Sequence, residues 1–524
     1  MKAKRGSRWM LTAVLAAAVG VTGACSTDGN NGGTTPGTDT GGDKPAPPAQ
    51  IVELKAITMG TEPASGMDNF YKLLDEMTIR DLNAKVRFDF VPWGDEKNQI
   101  SRAIVAKEYD LYVGGAWSDF SSFAAKNAFA DLTPLLEQTP DLVAHYKGSL
   151  DRVQIDGKVY GIPQYGKPGA GGEGMLYRED LRKEWGLPEI KDLDTLEQYL
   201  YKAKEAYPNV PMLNDKRFAD NLWTLIAGGT YHTVTQYYGV APIDDPYNVV
   251  SMYDTPEYKE VVLKAKQWYE DGIVDHDILA AQGNETSKTL ELMKADQKPL
   301  EFNNHFGAVS NGYIGALKAT YPDFEYGWFD YVFDMYPQKV FLPKMSAGTT
   351  TMISVGSHSA HAETALKLIE LAHTDQTYYN LLQFGVEGEN YSFKDGAVTF
   401  EGIDDKNRKP GWTGLHDGYM QPQERYPGEW QAIYNKLVNE EGPPLAESNG
   451  TDPYEGFVFN TASLAAETSS LETVRTQYIQ PLASGISNDI DKDLEEVRKQ
   501  LKSAGMDQYL AELQTQLQAF QAAR

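Results

Sequence analysis

Hydrophobic positions along the chain switch between a two-residue period and a helical one. Residues 51–57 (IVELKAI) read as a first strand. Residues 60–65 form a loop, and Phe70, Leu73, Leu74 and Met77 then fall at helical spacing. Val86, Phe88 and Phe90 alternate with Arg87 and Asp89, which is a strand period. Residues 99–107 read as a short helix and residues 110–113 as a third strand. This alternation implies βαβ units and a parallel sheet. Ligands of such sheets sit outside the carboxyl ends of the strands, so the loops after Ile57, Phe90 and Val113 are candidate positions.

Helical periods dominate later. Asp194 is a candidate N-cap with Glu197 three residues on, and Leu196, Tyr199, Leu200 and Ala203 form one face ended by Pro208. Ala365, Leu368, Ile369 and Ala372 make another such face. Leu494, Val497 and Leu501 make a third, which stops at Gly505. Leu510, Leu513, Leu517 and Phe520 resume the period after Asp507. Asn488, Asp489, Asp491 and Asp493 lack the turn glycine and terminal glutamate of a calcium loop and read as a helix start.

The first 24 residues follow a different rule. Lys2, Lys4, Arg5 and Arg8 precede an apolar run from Trp9 to Val21, and small residues follow. This is the layout of a secretory signal, too short to span a bilayer as a mature helix. Cys25, the only cysteine, stands directly after Gly23 and Ala24. That junction looks like a bacterial lipobox, in which the new N-terminal thiol carries lipid, although Thr22 stands where leucine is usual. The alternative is an ordinary signal cut elsewhere, with Cys25 a spare thiol. A single cysteine permits no intramolecular disulfide. Residues 26–50 are dense in Gly, Thr, Asp and Pro, with almost no apolar side chain. They read as a flexible tether with a reach of roughly 25–30 Å.

The body from residue 51 onward exceeds the size at which one core usually divides, which predicts two domains. A formal charge of -26 opposes binding to nucleic acid or to anionic lipid headgroups. Enzyme-like patterns fail in context. Gly161 and Gly166-Lys167 approach a phosphate loop, but Pro168 replaces the magnesium-binding hydroxyl. Gly169, Gly171 and Gly174 have dinucleotide spacing yet precede a strand. His358 and His361 lack a third metal ligand, and no nucleophile elbow occurs. No cofactor or metal is expected.

Longer stretches carry a resemblance. VPWGDEKNQISRAIVAKEYDLYVGGAWSDF (residues 91–120) and NAFADLTPLL (127–136) are similar to consecutive segments of the family 1 extracellular solute-binding proteins. So are DGKVYGIPQYG (156–166), GMLYREDLRKEWGLPEIKDLDTLEQYLYKAK (174–204) and FGVEGENYSFKDG (384–396). Their order resembles the long-chain, oligosaccharide-binding lipoproteins of bacterial ABC importers. The resemblance implies an α/β, two-lobed periplasmic-binding-protein fold of type II. Each lobe is a mixed or parallel sheet flanked by helices, and a hinge joins the two. It assigns residues 51–165 and 324–373 to lobe one, and 174–322 and 374–524 to lobe two. It implies a monomer held at the outer face of the cell membrane by its lipid, with a carbohydrate ligand and permease subunits as partners. Many long-chain relatives carry a calcium loop where this chain has AYPNVPML, without an acidic cluster.

Sugars are held by stacking on aromatic rings and by planar polar groups. Trp93 and Trp117 follow the second and third strands, with Asp95 and Asp119 close by. The alternative for either ring is packing beneath its own loop. Glu62 lies in the first loop. Tyr165 lies where the resemblance puts the crossing between lobes. The segment FNNHFGAVSN (residues 302–311) resembles one where relatives place an aromatic on the sugar, which singles out Phe306, His305 and Asn303. Competing readings are a secreted glycan hydrolase or lyase, and a receptor for a non-sugar solute.

Overall fold

The apolar faces expected from the sequence condense into separate cores, one built on a first sheet and two on opposite faces of a second. The computed structural model describes residues 50–523 except 61, 63–65, 92–95, 147–149, 151–152, 165–171, 282–284, 342–350, 395–396, 405–406, 408–412, 416–422, 425–427 and 456. In chain order the strands are β1 (Val52–Met59), β2 (Ala84–Val91), β3 (Leu111–Gly114), β4 (Ile162–Pro163) and β5 (Glu173–Arg178). They continue with β6 (Tyr231–Thr233), β7 (Gly239–Pro242), β8 (Val250–Ser251), β9 (Leu300–His305), β10 (Tyr326–Asp330) and β11 (Met352–Val355).

The first sheet has the order β2-β1-β3-β11-β4. β1 runs parallel to β2, with Val52 opposite Ala84, and to β3, with Ala56 opposite Leu111. Helix Met67–Leu82 joins β1 to β2 and buries Phe70 and Leu74. Arg87 on β2 clamps Asp75 of that helix through two hydrogen bonds of 2.8 and 2.9 Å, which holds the carboxyl below its ordinary pKa. β11 enters antiparallel between β3 and β4, so the sheet is mixed. Leu54, Val86, Leu111, Ile353 and Val355 share one core with Ala365, Leu368, Ile369 and Ala372. Each fully buried Leu or Ile there contributes about 1.5–3 kcal/mol.

The second sheet, β10-β5-β9, is antiparallel, with Glu173 opposite His305 and Tyr326 opposite Arg178. Its strands alternate sides, as the pleat requires. Phe329 points into a core with Leu200, Trp268 and Phe302, while its neighbour Trp328 points into another with Phe306 and Trp430. β6, β7 and β8 form a small antiparallel sheet in the long insertion between β5 and β9.

Domain borders differ from the expected ones. β10 pairs with β5, so the chain returns to the first sheet only between β10 and β11, not at residue 324. The first core also extends past residue 373. Tyr378, Leu381 and Leu382 of helix Gln376–Phe384 and Leu415 all join it. The reason is packing: this helix lies against helix Ala362–Thr374, which rests on the first sheet.

Local signals shifted by a residue or two. Asp192, not Asp194, caps helix Leu193–Ala206: its carboxylate accepts from the Thr195 N–H at 2.9 Å, and Thr195 Oγ1 accepts from the Asp192 N–H at 3.1 Å. Glu197 is occupied elsewhere, accepting from Trp268 Nε1 at 2.7 Å and Lys264 Nζ at 2.9 Å. Asp489 caps helix Ile490–Ser503, with its carboxylate 3.2 Å from the Lys492 N–H. In the last helix, Met506–Ala522, the buried seam is Met506, Tyr509, Leu513 and Leu517, while Leu510 and Phe520 are half-buried.

Candidate functional site

β9 ends at the start of β5, so Asn303, Asn304 and His305 stand beside Glu173. Around this sheet edge the structure holds a cavity of about 1020 Å³. Helix Phe218–Ala227 forms one wall. In its sequence FADNLWTLIA, Phe218, Ala219, Leu222, Trp223 and Leu225 are buried, and so is the polar Asn221. Asp220 alone in this helix is exposed, and it faces the cavity. The other walls come from the first turn of helix Glu285–Lys294, the turn Met252–Asp254, helix Pro256–Glu270 and the segment around Arg475.

The cations of this cavity are already engaged. Arg217 donates to Asp215 through Nε at 2.9 Å and Nη2 at 2.7 Å, and its Nη2 also lies 3.1 Å from Thr286 Oγ1 and 3.1 Å from the Asn303 carbonyl. Arg475 binds Glu472 through Nε at 2.7 Å and Nη2 at 2.6 Å, with its guanidinium 4.5 Å from the centre of the Tyr237 ring. Lys216 Nζ donates to the Ala281 carbonyl at 3.1 Å.

Other groups are open. Asp220 accepts no side-chain hydrogen bond and forms no ion pair among the described residues. Enclosure by the cavity wall pushes its pKa up to about 7. Attraction to Arg475 and Arg217 offsets part of that rise, and repulsion from Asp215 and Glu173 adds to it. Asn304 is 5% exposed, and its Nδ2 has no partner among the described residues; the Tyr258 hydroxyl is likewise buried and unpartnered. An unmade bond on a buried donor is costly, so such a group on a cavity wall is a place for a ligand acceptor. Beneath the cavity, burial pushes Glu301 up and Lys298 down, both toward their neutral forms.

Of the residues expected from sequence, His305 and Asn303 line this cavity. His305 is exposed; its Nδ1 accepts from the Gly307 N–H at 3.1 Å, which leaves Nε2 as the N–H donor. Asn303 is buried and serves the wall. Its Oδ1 accepts from Asn221 at 2.8 Å, and its N–H donates to Glu301 at 3.0 Å. Phe306 is 1% exposed, and its ring is enclosed by Trp328, Trp430 and Tyr434, so it offers no open face here. Trp117 lies in the turn Ala116–Ser118 after β3, half-buried against the first core. Asp119 follows it, exposed, with a left-handed backbone at φ 60°. Glu62 is exposed in the loop after β1. Trp93 and Tyr165 lie outside the described residues.

Sequence reasoning missed Asp220, Arg217, Asn304, Glu173 and Arg475. A signal existed for Asp220: it is the one carboxylate in a helix that is otherwise free of charge. A carboxylate in a first helical turn also has an ordinary explanation in the helix dipole, which masked it. Among the described residues no group of three or more His, Cys, Asp or Glu has metal-binding geometry, and no helix is long and apolar enough to cross a membrane.

Residues 72–386 match the family described as bacterial extracellular solute-binding protein, and residues 453–522 match a domain of unknown function. The chain is 24% identical over 531 residues to a carbohydrate ABC transporter substrate-binding protein of Streptococcus pneumoniae serotype 4 (strain ATCC BAA-334 / TIGR4), covering 97% of this chain and 96% of that protein. Its fold is similar to that of the N-glycan transport solute binding protein NgtS of Streptococcus pneumoniae, solved in complex with Man5GlcNAc. The TM-score is 0.68 at 20% identity, covering 90% of this chain and 99% of that one. It is also similar to an extracellular solute-binding protein from Bifidobacterium longum subsp. infantis, with a TM-score of 0.60 at 18% identity, covering 89% and 98% of the two chains.

Proposed function

The chain belongs to the bacterial extracellular solute-binding proteins, and from that premise we propose that it captures an oligosaccharide outside the cell and delivers it to the permease subunits of an ABC importer. The observation that carries this reading is the cavity at the end of β9. It combines aromatic side chains, open carboxylates and an unpartnered Asn304 donor, the mixture that suits hydroxyl-rich rings. The carbohydrate assigned to the similar Streptococcus pneumoniae protein supports the same ligand class.

In this reading the loops after β1, β2 and β3 supply the facing wall. Trp117 and Trp93 stack on the sugar, Asp119 and Glu62 accept hydroxyl protons, and Tyr165 lies at the crossing between lobes. Ligand that touches both lobes favours the closed state over the open one. The bound glycan leaves unchanged. Lipid on Cys25 and the tether of residues 26–50 hold a monomeric receptor at the outer face of the membrane.

The test is titration of purified residues 26–524 with plant and microbial glycan fragments, alongside peptides of similar size, read by calorimetry and by melting temperature. A glycan that binds and raises the melting temperature is the expected result. Binding confined to peptides would defeat the carbohydrate assignment. Turnover of a bound glycan, abolished by one carboxylate substitution, would replace the receptor reading with an enzyme.

A further inference from the structure

Sorted by what is already paired, the charged groups of the cavity fall into two sets. Among the described lining residues the cations are Lys216, Arg217 and Arg475. Each donates to a protein acceptor, and the two guanidiniums hold Asp215 and Glu472 through two nitrogens apiece. The carboxylates of Asp220 and Glu173 are both exposed on the cavity wall, and neither accepts a side-chain hydrogen bond or an ion pair among the described residues.

This asymmetry has a consequence for ligand charge. An anionic sugar would find both guanidiniums already holding carboxylates, with Lys216, which donates to a carbonyl, as the remaining cation among the described lining residues. At Arg217 or Arg475 it would share a guanidinium whose charge Asp215 or Glu472 already offsets. It would also meet two carboxylates that hold no ion pair among the described residues, in a space where like charges repel more strongly than in bulk water. A neutral sugar meets the opposite situation. Its hydroxyls donate to Asp220 and Glu173 in charge-assisted bonds, and one of its oxygens satisfies the buried Nδ2 of Asn304. Tyr237, which already carries the Arg475 guanidinium on one face, completes an aromatic side to the same space.

We infer that Asp220 and Glu173 are charge-specificity residues, which make this cavity a site for uncharged sugar rings and exclude uronate-bearing and sulfated ones. The inference rests on the receptor reading above and adds the charge class of its ligand.

The experiment uses matched pairs of trisaccharides: mannose against mannuronate, galactose against galacturonate, and glucose against its 6-sulfated form. Each is titrated calorimetrically at pH 8 into residues 26–524 and into an Asp220→Asn, Glu173→Gln variant. The expected result is at least one neutral trimer binding tenfold or more tighter than its acidic partner. In the variant that preference shrinks at least tenfold. An acidic trimer that binds the unsubstituted protein as tightly as its neutral partner overturns the inference while leaving the receptor reading intact. A folded variant that keeps the full preference overturns it too. Binding of no trisaccharide of either charge removes the receptor reading and this inference together. The comparison on the unsubstituted protein needs no substitution, so it decides the matter even if the variant does not fold.

Discussion

The rings of Phe306 and Trp430 stack with centroids 5.5 Å apart and planes 23° apart, and the Trp430 Nε1–H donates to Ser310 Oγ at 3.0 Å. The turn after β9 is thereby pinned to a distant helix, Trp430–Tyr434. Phe306 is a packing residue in this arrangement. Phe306→Ala is expected to lower stability by about 3–5 kcal/mol, the usual cost of emptying a buried aromatic site. Urea unfolding measures it. Unchanged stability with loss of glycan affinity would instead assign the ring to the ligand.

Trp117 has the opposite expectation. It is half-buried on a turn at the carboxyl end of β3. Trp117→Ala should reduce glycan affinity tenfold to a hundredfold, or about 1–3 kcal/mol. Its melting temperature should fall less than that of Phe306→Ala. Calorimetric titration with a bound sugar and melting without it are the paired measurements. Unaltered affinity would return the ring to packing against the first core.

Asp220 predicts a dependence on pH. Enclosure raises its pKa from 3.8 to about 7 in the folded protein. Between those values the unfolded carboxylate is ionised while the folded one still holds its proton. Its contribution to stability therefore falls as pH rises through that window and levels off above about 7. Asp220→Asn removes the effect. The stability of the variant relative to the unsubstituted protein should grow from pH 4 to pH 7 and then stay constant. Equilibrium unfolding at stepped pH reads this difference, and a flat difference would contradict it.

Cys25→Ser tests the anchor. The variant should appear in the medium or retain its signal uncut. Membrane retention of a normally processed variant would show that lipid on Cys25 is not what holds the protein.

Much of the local structure was legible. The faces Leu196, Tyr199, Leu200, Ala203 and Ala365, Leu368, Ile369, Ala372 are buried as their spacing requires. Caps were less legible, because several acidic residues near a helix start compete and only one has the right backbone. Asp192 is extended at φ -154° and wins over Asp194, which sits inside the first turn. The site was the least legible part. His305 and Asn303 were found through the resemblance of segment 302–311, whereas Arg217 and Asp220, which open one helix, are joined to Arg475 of a distant helical segment only by the fold.

By itself the sequence determined the alternation of strands and helices and the order of segments that marks the family. These depend on near neighbours in the chain, through hydrophobic period and residue type. The tertiary structure decided what depends on distant neighbours. It put β10 in the second sheet, closed the Phe306 ring behind Trp430, and paired Arg217 and Arg475 with their own carboxylates. Whether a charged or aromatic side chain is free to meet a ligand depends on which partners the fold has already brought to it. Among the described residues of the cavity wall, that leaves Asp220, Glu173, Asn304 and Tyr258 with bonds still to make.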